Sequence, residues 1–137
     1  QPGEIKVIAY DSEGQAVAEK TIRTAGKATS IKLTPDRKVL KADGEDLCYI
    51  NVSITDKDGN PVPADNRLMK VKVSGDGSFK AIANGDPTCL ESFQQPQMHL
   101  FSGQLTVLVQ SSSQPGEITV EVTGKGVKKA RLTIITE

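Results

Sequence analysis

The chain has 137 residues, and its 17 Lys and Arg residues balance its 17 Asp and Glu residues, so its formal net charge is zero. This length suits one ordinary domain with a continuous core, and the balanced charge gives no basic surface for nucleic acid or for a membrane. No apolar run approaches the roughly 18 residues of a membrane span, and the N-terminus lacks the charged-then-apolar pattern of a signal peptide.

The first residues predict a β-hairpin followed by a linker. Ile5 and Val7 alternate with polar residues, which places them on one face of a strand. Turn-forming residues occupy positions 11–14, and a second strand is predicted over residues 18–24. Residues 25–29 are small and polar, as is typical of a linker.

The next segments predict the opening strands of a β-sandwich. Ile31 and Leu33 lie on a short strand that Pro35 interrupts, and the strand resumes at residues 38–40. Because proline in a strand marks an edge or a bulge, we expect this strand to be split between two sheets. Residues 48–55 then alternate between apolar and polar side chains, which indicates a strand with one buried face.

The rest of the chain continues the same pattern, and no segment shows a helical period. Alternating runs lie at residues 68–74, 103–110, 117–123 and 130–136, with turn residues between them. Several short strands at regular spacing predict an all-β, immunoglobulin-like sandwich of about seven strands. We expect it to span residues 27–137, preceded by the N-terminal hairpin in residues 1–26.

The inward-facing apolar residues of these strands form the predicted core. They are Ile31, Leu33, Ile50, Val52, Ile54, Val71, Val73, Leu105, Val107, Ile118, Val120, Val122, Leu132 and Ile134.

An internal repeat links the two ends of the chain. The sequence QPGEIKV from Gln1 recurs as QPGEITV from Gln114, and after each turn Ala18 corresponds to Ala130 and Ile22 to Ile134. Since the second copy is the last hairpin of a sandwich, we expect the first copy to be the last hairpin of a preceding one. Its apolar face should then dock on the sandwich of its own chain or pair with a neighbouring copy.

One long stretch fits neither a plain strand nor a short turn. It begins NGDPTCLESF at Asn84–Phe93, and FSGQLTVLVQS follows from Phe101. Loops of more than about 12 residues without regular structure are uncommon and tend to be functional. These two motifs resemble the C-terminal immunoglobulin-like domain of many family 2 glycoside hydrolases of the β-galactosidase type. The resemblance covers roughly residues 29–137.

The resemblance implies a role as an accessory module. The parent would be a β-galactosidase-type exoglycosidase with a catalytic barrel upstream, located in the periplasm or at the cell surface. The family's catalytic glutamates lie in that barrel and match nothing here, so the implied partners are the barrel and the other β domains. One departure is Cys89, where the family pattern more often carries a serine.

The candidate interaction residues all lie in the long loop. They are Asn84, Asp86, Glu91 and Phe93. Glycoside hydrolysis normally needs two carboxylates about 5 to 10 Å apart, and Asp86 and Glu91 are the only acids worth testing. The simpler interpretation is that Asn84 and Asp86 hydrogen-bond their own loop backbone.

Aromatic and histidine side chains do not suggest a sugar platform or a catalytic base. We expect Leu90, Phe93 and Phe101 to pin the loop to the sandwich, because a carbohydrate-binding surface usually presents flat aromatics, Trp above all, and Trp is absent. His99, the only histidine, is expected to be exposed and stands beside no nucleophile motif. No catalytic residue and no cofactor is predicted.

Metal and disulfide chemistry are equally weakly indicated. Asp56-Lys57-Asp58-Gly59 resembles the start of a calcium loop, but its twelfth position is Arg67 rather than a glutamate, which favours an ordinary turn. Cys48 and Cys89 are either two free thiols, one of them buried, or a disulfide.

Two other functions fit parts of the pattern. A bacterial immunoglobulin-like spacer of a surface protein would suit the strand from Cys48 and its turn, although a spacer has no need of the loop at 84–93. An independent carbohydrate-binding module would require affinity for a sugar.

Overall fold

The computed structural model describes residues 2–137, which form eleven β-strands and no helix. The strands are β1 (Glu4–Tyr10), β2 (Ala16–Arg23), β3 (Ser30–Pro35), β4 (Val39–Leu40), β5 (Leu47–Thr55), β6 (Leu68–Gly75), β7 (Gly77–Ala83), β8 (Gln97–His99), β9 (Gln104–Ser111), β10 (Gly116–Gly124) and β11 (Ala130–Thr136). In this part of the chain, no helix has the length and apolarity to cross a membrane.

Strands β3 to β11 form a two-layer sandwich, as the alternating pattern predicts. One sheet has the order β3-β5-β9-β7, and the other has the order β4-β11-β10-β6-β8. The strand interrupted at Pro35 is indeed divided between the layers, because β3 pairs with β5 while β4 runs parallel to β11. The sandwich has two strands more than the predicted seven, and its shortest members are β4 and β8, of two and three residues.

The core lies between the two sheets and contains the predicted residues. All are buried except Leu33, Val73 and Leu132, which are partly buried and pack against the core. Further buried members are Ala28, Leu40, Cys48, Met69, Ile82, Met98, Leu100 and Val109. Several of these lie in short strands or loops, where a strand period is too brief to mark the inward face.

The N-terminal hairpin forms a separate two-stranded sheet. Its apolar side chains are in water, with Ile5 67%, Val7 62% and Ile22 59% exposed. The opposite face carries cross-strand ion pairs, Lys6 with Glu19 at 2.9 Å and Arg23 with Glu4 at 2.6 Å. The expectation that the apolar face docks on the sandwich of its own chain is therefore wrong, because Ile5, Val7 and Ile22 all remain exposed.

The internal repeat is in register at the level of the backbone. Ile5 lies opposite Ile22 in β1–β2, and the corresponding residues Ile118 and Ile134 lie opposite each other in β10–β11. In the second hairpin both isoleucines are fully buried. The two hairpins thus share a pairing scheme and an apolar face, but only the second has an opposing sheet.

Asp56 joins the linker to the turn after β5. Its Oδ1 accepts hydrogen bonds from the Asp58 and Asn60 N–H groups, both at 2.9 Å, and its Oδ2 accepts one from the Gly26 N–H at 2.8 Å. The Gly26 bond is the main reason that the pKa of Asp56 falls to about 2. Gly59, at φ 82°, completes the ordinary turn that the sequence predicts.

Candidate interaction loop

The candidate interaction loop, residues 84–96, connects β7 to β8 and spans the gap between the two sheets. The Ile82 N–H in β7 donates to the Phe93 carbonyl at 2.8 Å, and the Val71 N–H in β6 donates to the Pro96 carbonyl at 2.8 Å. Since β7 and β6 belong to different layers, the loop backbone is attached to both sheets. It is an ordered part of the sandwich rather than a free excursion.

Asn84 and Asp86 organise the first turn of the loop, as predicted. The Asn84 Oδ1 accepts from the Asp86 N–H at 3.0 Å, and the Asp86 Oδ1 accepts from the Thr88 N–H at 2.8 Å and hydroxyl at 2.7 Å. Those Thr88 groups lower the pKa of Asp86 below its ordinary value. The Asn84 Nδ2 also donates to the His99 carbonyl at 3.0 Å, which fixes this turn to β8.

Glu91 and His99 form the second attachment. The Glu91 Oε1 accepts from the His99 N–H and lies 3.1 Å from the ring Nδ1, which donates because an ionised carboxylate can only accept. Partial burial by itself raises the pKa of a carboxyl, but the hydrogen bonds from His99 outweigh it and lower the pKa of Glu91. His99 is exposed, as the sequence predicts.

Both cysteines are free thiols, which excludes the disulfide alternative. Cys89 lies in the loop and is half-buried, with its Sγ 3.6 Å from the Asn84 Nδ2 and 3.8 Å from the Glu91 Oε1. Cys48 is fully buried and donates to the Arg37 carbonyl at 3.3 Å. Burial raises the pKa of Cys48 to about 11, so this thiol is not a reactive nucleophile.

The side chains that pin the loop are not the predicted ones. Leu90 is 100% exposed, Phe93 56% and Phe101 44%, whereas Met98 and Leu100 are buried. The backbone of Phe93 does anchor the loop, but its ring points away from the core. The alternation of polar and apolar residues in Gln97-Met98-His99-Leu100 is the signal that could have identified β8. It extends over only four residues, which is too short to distinguish a strand from chance alternation.

A tight turn completes the site. Ser102 and Gly103 have φ of 51° and 72°, and Phe101 and Gln104 exchange two backbone hydrogen bonds at 3.0 Å, which defines a type I′ hairpin turn. A Cβ on residue 103 would collide with the Val62 carbonyl oxygen. Only glycine satisfies both the backbone angle and this close approach.

The arrangement suits contact with another protein surface better than chemistry. Asp86 accepts from an N–H group of its own loop, Glu91 accepts from the His99 N–H in β8, and the His99 ring contacts a carboxylate rather than a thiol. Within residues 2–137, no group of three or more His, Cys, Asp and Glu side chains could hold a metal ion. Exposed apolar side chains are nevertheless present, Leu90 and Phe93 in the loop and Phe101 close to it, beside exposed polar residues such as Gln94 and Gln95.

Comparison with known proteins shows which domain family the chain belongs to. Residues 31–133 match the model of the family described as glycoside hydrolase family 2 C-terminal domain 5. The whole chain is 41% identical to part of Beta-galactosidase BoGH2A of Bacteroides ovatus, over 137 residues that make up 16% of that protein. The chain therefore spans about a sixth of the length of this curated relative.

Solved structures agree in fold and in extent. A β-glycosidase from Bacteroides vulgatus matches 98% of this chain, with a TM-score of 0.93 and 30% identity, in a segment that is 17% of its own length. A family 2 glycosyl hydrolase from Bacteroides cellulosilyticus matches the same share of both chains, with a TM-score of 0.91 and 30% identity.

Proposed function

Because this chain belongs to the glycoside hydrolase family 2 C-terminal domain 5 family, we propose that it is a non-catalytic accessory domain of a β-galactosidase-type glycoside hydrolase. The observation that carries the proposal is the match over the whole chain to a small C-terminal part of a β-galactosidase. The catalytic machinery would lie in the remainder of the parent protein, where a barrel domain would hold the carboxylate pair. This domain would support or flank that barrel.

The candidate interaction loop is the part of the domain that we assign to contact with the rest of the enzyme. The polar groups of its first turn, in Asn84, Asp86 and Thr88, are hydrogen-bonded to one another, so a neighbouring domain can cover this turn without leaving those groups unpaired. Its exposed apolar side chains, Leu90 and Phe93, supply area that burial would stabilise. Attachment to both sheets fixes the backbone of the loop, which lowers the entropic cost of docking.

The N-terminal hairpin, residues 1–26, is assigned to a preceding immunoglobulin-like sandwich, with the present sandwich occupying residues 27–137. Support comes from the in-register repeat and from the bare apolar face of the hairpin. In the isolated chain the same face would be available to a second copy, because unpaired strand edges and exposed apolar faces promote association. Self-association would then be a property of the isolated chain.

We also propose that the parent works on carbohydrate in the periplasm or at the cell surface. The basis is the resemblance to the family alone. Fractionation of cells that produce the full-length protein, followed by detection of this domain, tests the location. Recovery with the cytoplasmic fraction would contradict it.

A hydrolysis assay tests the accessory role directly. The isolated chain should not hydrolyse an aryl β-galactoside above the buffer background, whereas the full-length protein should. In the full-length protein, Leu90→Ser with Phe93→Ser should lower thermal stability or turnover, and Ser113→Ala, at an exposed turn outside the loop, should change neither. Turnover by the isolated chain that disappears on changing Glu91 or Asp86 would overturn the proposal.

A further inference from the structure

A groove runs between the hairpin and the sandwich. Residues 20–25, the end of β2 and the start of the linker, form one wall, and Asn60 with the proline strip, defined here as Pro61–Ala64, forms the other. The groove has a volume of about 610 Å³ and a mainly apolar lining. Ile22, Pro61, Pro63 and Ala64 are all exposed in it.

The repeat indicates what should lie beside this wall. Thr21-Ile22-Arg23-Thr24 corresponds to Thr133-Ile134-Ile135-Thr136. In the sandwich, the short strand β4 runs parallel to β11 at Ile135 and Thr136. The Ile135 N–H donates to the Lys38 carbonyl at 2.9 Å, and the Glu137 N–H donates to the Leu40 carbonyl at 3.0 Å.

The corresponding positions of the hairpin line the groove. Arg23, Thr24 and Ala25 take the places of Ile135, Thr136 and Glu137, and all three belong to its wall. No strand of residues 2–137 pairs with this edge of β2. The position that β4 fills beside the second hairpin is thus open beside the first.

We propose that this groove is the seat of a short β-strand supplied by polypeptide that precedes Gln1, running parallel to β2 and covering the proline strip with its other side. This inference rests on the proposed function, in which the hairpin closes a preceding sandwich. It adds a second contact, because the preceding sandwich then touches the present one at Pro61–Ala64 as well as through the linker.

The chemistry of the proline strip suits such a neighbour. Pro61 and Pro63 have no N–H group to leave unpaired. The Val62 N–H donates to the Ile54 carbonyl at 3.0 Å, and the Asp65 N–H donates to the Val62 carbonyl at 3.1 Å. An apolar side chain can therefore cover residues 61–63 of the strip without leaving a backbone N–H group unpaired.

The groove also has a fixed shape. The Gly26 N–H is held by the Asp56 carboxylate, whose other contacts lie in the turn next to the proline strip. In the two Bacteroides structures compared above, the match covers 98% of this chain, so that one superposition includes hairpin and sandwich together. A short strand can pair with β2 and also contact the proline strip only if the distance between these two walls of the groove stays constant.

Thiol labelling tests the seat. Ala64→Cys reports the groove, Val7→Cys reports the apolar face of the hairpin, and Ser113→Cys, at an exposed turn at the opposite end of the sandwich, is the matched control. Within the 137 residues, a Cys89→Ser background leaves the buried Cys48 as the only other thiol, and in the full-length protein the labelled site is read by mass spectrometry of the peptide that contains it. Each variant is labelled both in the dilute 137-residue chain and in the full-length protein.

In the 137-residue chain all three introduced thiols should react at similar rates. In the full-length protein, Ala64→Cys and Val7→Cys should react about tenfold or more slowly relative to Ser113→Cys, since labelling of a covered thiol waits for local opening. Slow labelling at residue 7 with fast labelling at residue 64 would contradict the proposed strand in the groove. It would still agree with a preceding sandwich that covers the apolar face of the hairpin. Fast labelling at both would overturn the seat and the assignment of the hairpin to a preceding sandwich, while hydrolysis by the full-length protein would still test the accessory role.

Discussion

At the scale of single residues, Gly103 is a position where the backbone allows little choice. Its φ of 72° and its approach to the Val62 carbonyl oxygen are two separate constraints. Gly59 has a similar φ of 82° but has open space around the position of a Cβ. Substituting alanine at each glycine therefore distinguishes the cost of backbone strain, present at both positions, from the cost of steric collision, present only at Gly103.

Gly103→Ala should destabilise the domain by more than Gly59→Ala. Alanine in the left-handed region costs roughly 1 to 2 kcal/mol at either site, and the collision with Val62 should add about 1 kcal/mol or more at residue 103. Urea denaturation of both variants gives the two free energies of unfolding. Equal losses would show that the loop around Val62 moves away at no cost.

Glu91 makes the stability of the loop depend on pH. Its pKa is lower in the folded chain than in the unfolded chain, so the carboxylate stabilises the fold fully above its unfolded pKa and loses this effect as the pH falls through the folded pKa. Wild type should exceed Glu91→Gln in stability at pH 7, and the difference should shrink under acidic conditions below about pH 4.

Denaturant midpoints measured from pH 7 down to pH 3 test this dependence on Glu91. Glu13→Gln, in the exposed turn of the N-terminal hairpin, is the control and should show no such trend. A constant difference between wild type and Glu91→Gln would mean that Glu91 does not hold the loop through its charge.

At the scale of elements, the loop is held by β8 rather than by its aromatic rings. Met98 is 0% and Leu100 3% exposed, while the Phe93 ring is 56% exposed. The loop can therefore keep its shape while presenting Phe93 to a partner. The side chains that stabilise it and those that could bind are different sets.

Met98→Ala or Leu100→Ala should each cost about 2 to 5 kcal/mol of unfolding free energy, as expected for a large buried side chain. Phe93→Ala should change the stability of the isolated domain by about 0.5 kcal/mol or less, because its ring is mostly in water. Urea midpoints distinguish the two classes. A large loss at Phe93 would indicate that the ring packs inward in solution.

Deleting residues 1–26 should leave the sandwich folded and make the chain more monomeric. The hairpin has no core contact to lose, and its exposed Ile5, Val7 and Ile22 are the apolar surface available for association. Light scattering of both chains at equal concentration is the measurement, with circular dichroism as the check on folding. If the full 137-residue chain is already a monomer, the self-association proposal fails.

At the scale of the whole molecule, Asp56 fixes the orientation of the hairpin relative to the sandwich. One carboxylate oxygen serves the turn after β5, and the other holds the linker at Gly26. Because the pKa of Asp56 is about 2, well below its usual 3.8, this joint should persist in mild acid and weaken only as the pH falls from about 4 towards 2.

Asp56→Ala should loosen the hairpin relative to the sandwich. NMR relaxation of the backbone amides should show the hairpin reorienting more independently than in wild type. Ser113→Ala, at an exposed turn at the opposite end of the sandwich, is the control and should leave the relaxation unchanged. Identical relaxation in all three proteins would show that the linker is rigid without the Asp56 bond.

The sequence by itself determined the layers, the core and the repeat. Alternation along a strand is a local property, so Ile50, Val52 and Ile54 could be assigned to the core without knowing their partners. Turn chemistry at Asp56 and Asn84 is equally local, since each side chain bonds to N–H groups two residues further on. The family resemblance rested on motifs that need no contact to be recognised.

Only the tertiary structure decided which side chains of the loop face inward. Phe93 and Met98 are both apolar residues in one irregular stretch, and what separates them is that Met98 lies on β8, opposite Met69 of β6. That strand is three residues long and exists because a distant strand offers it a partner. The bare face of the hairpin and the groove beside it likewise follow from where the linker places them, since burial depends on the neighbour and not on the residue.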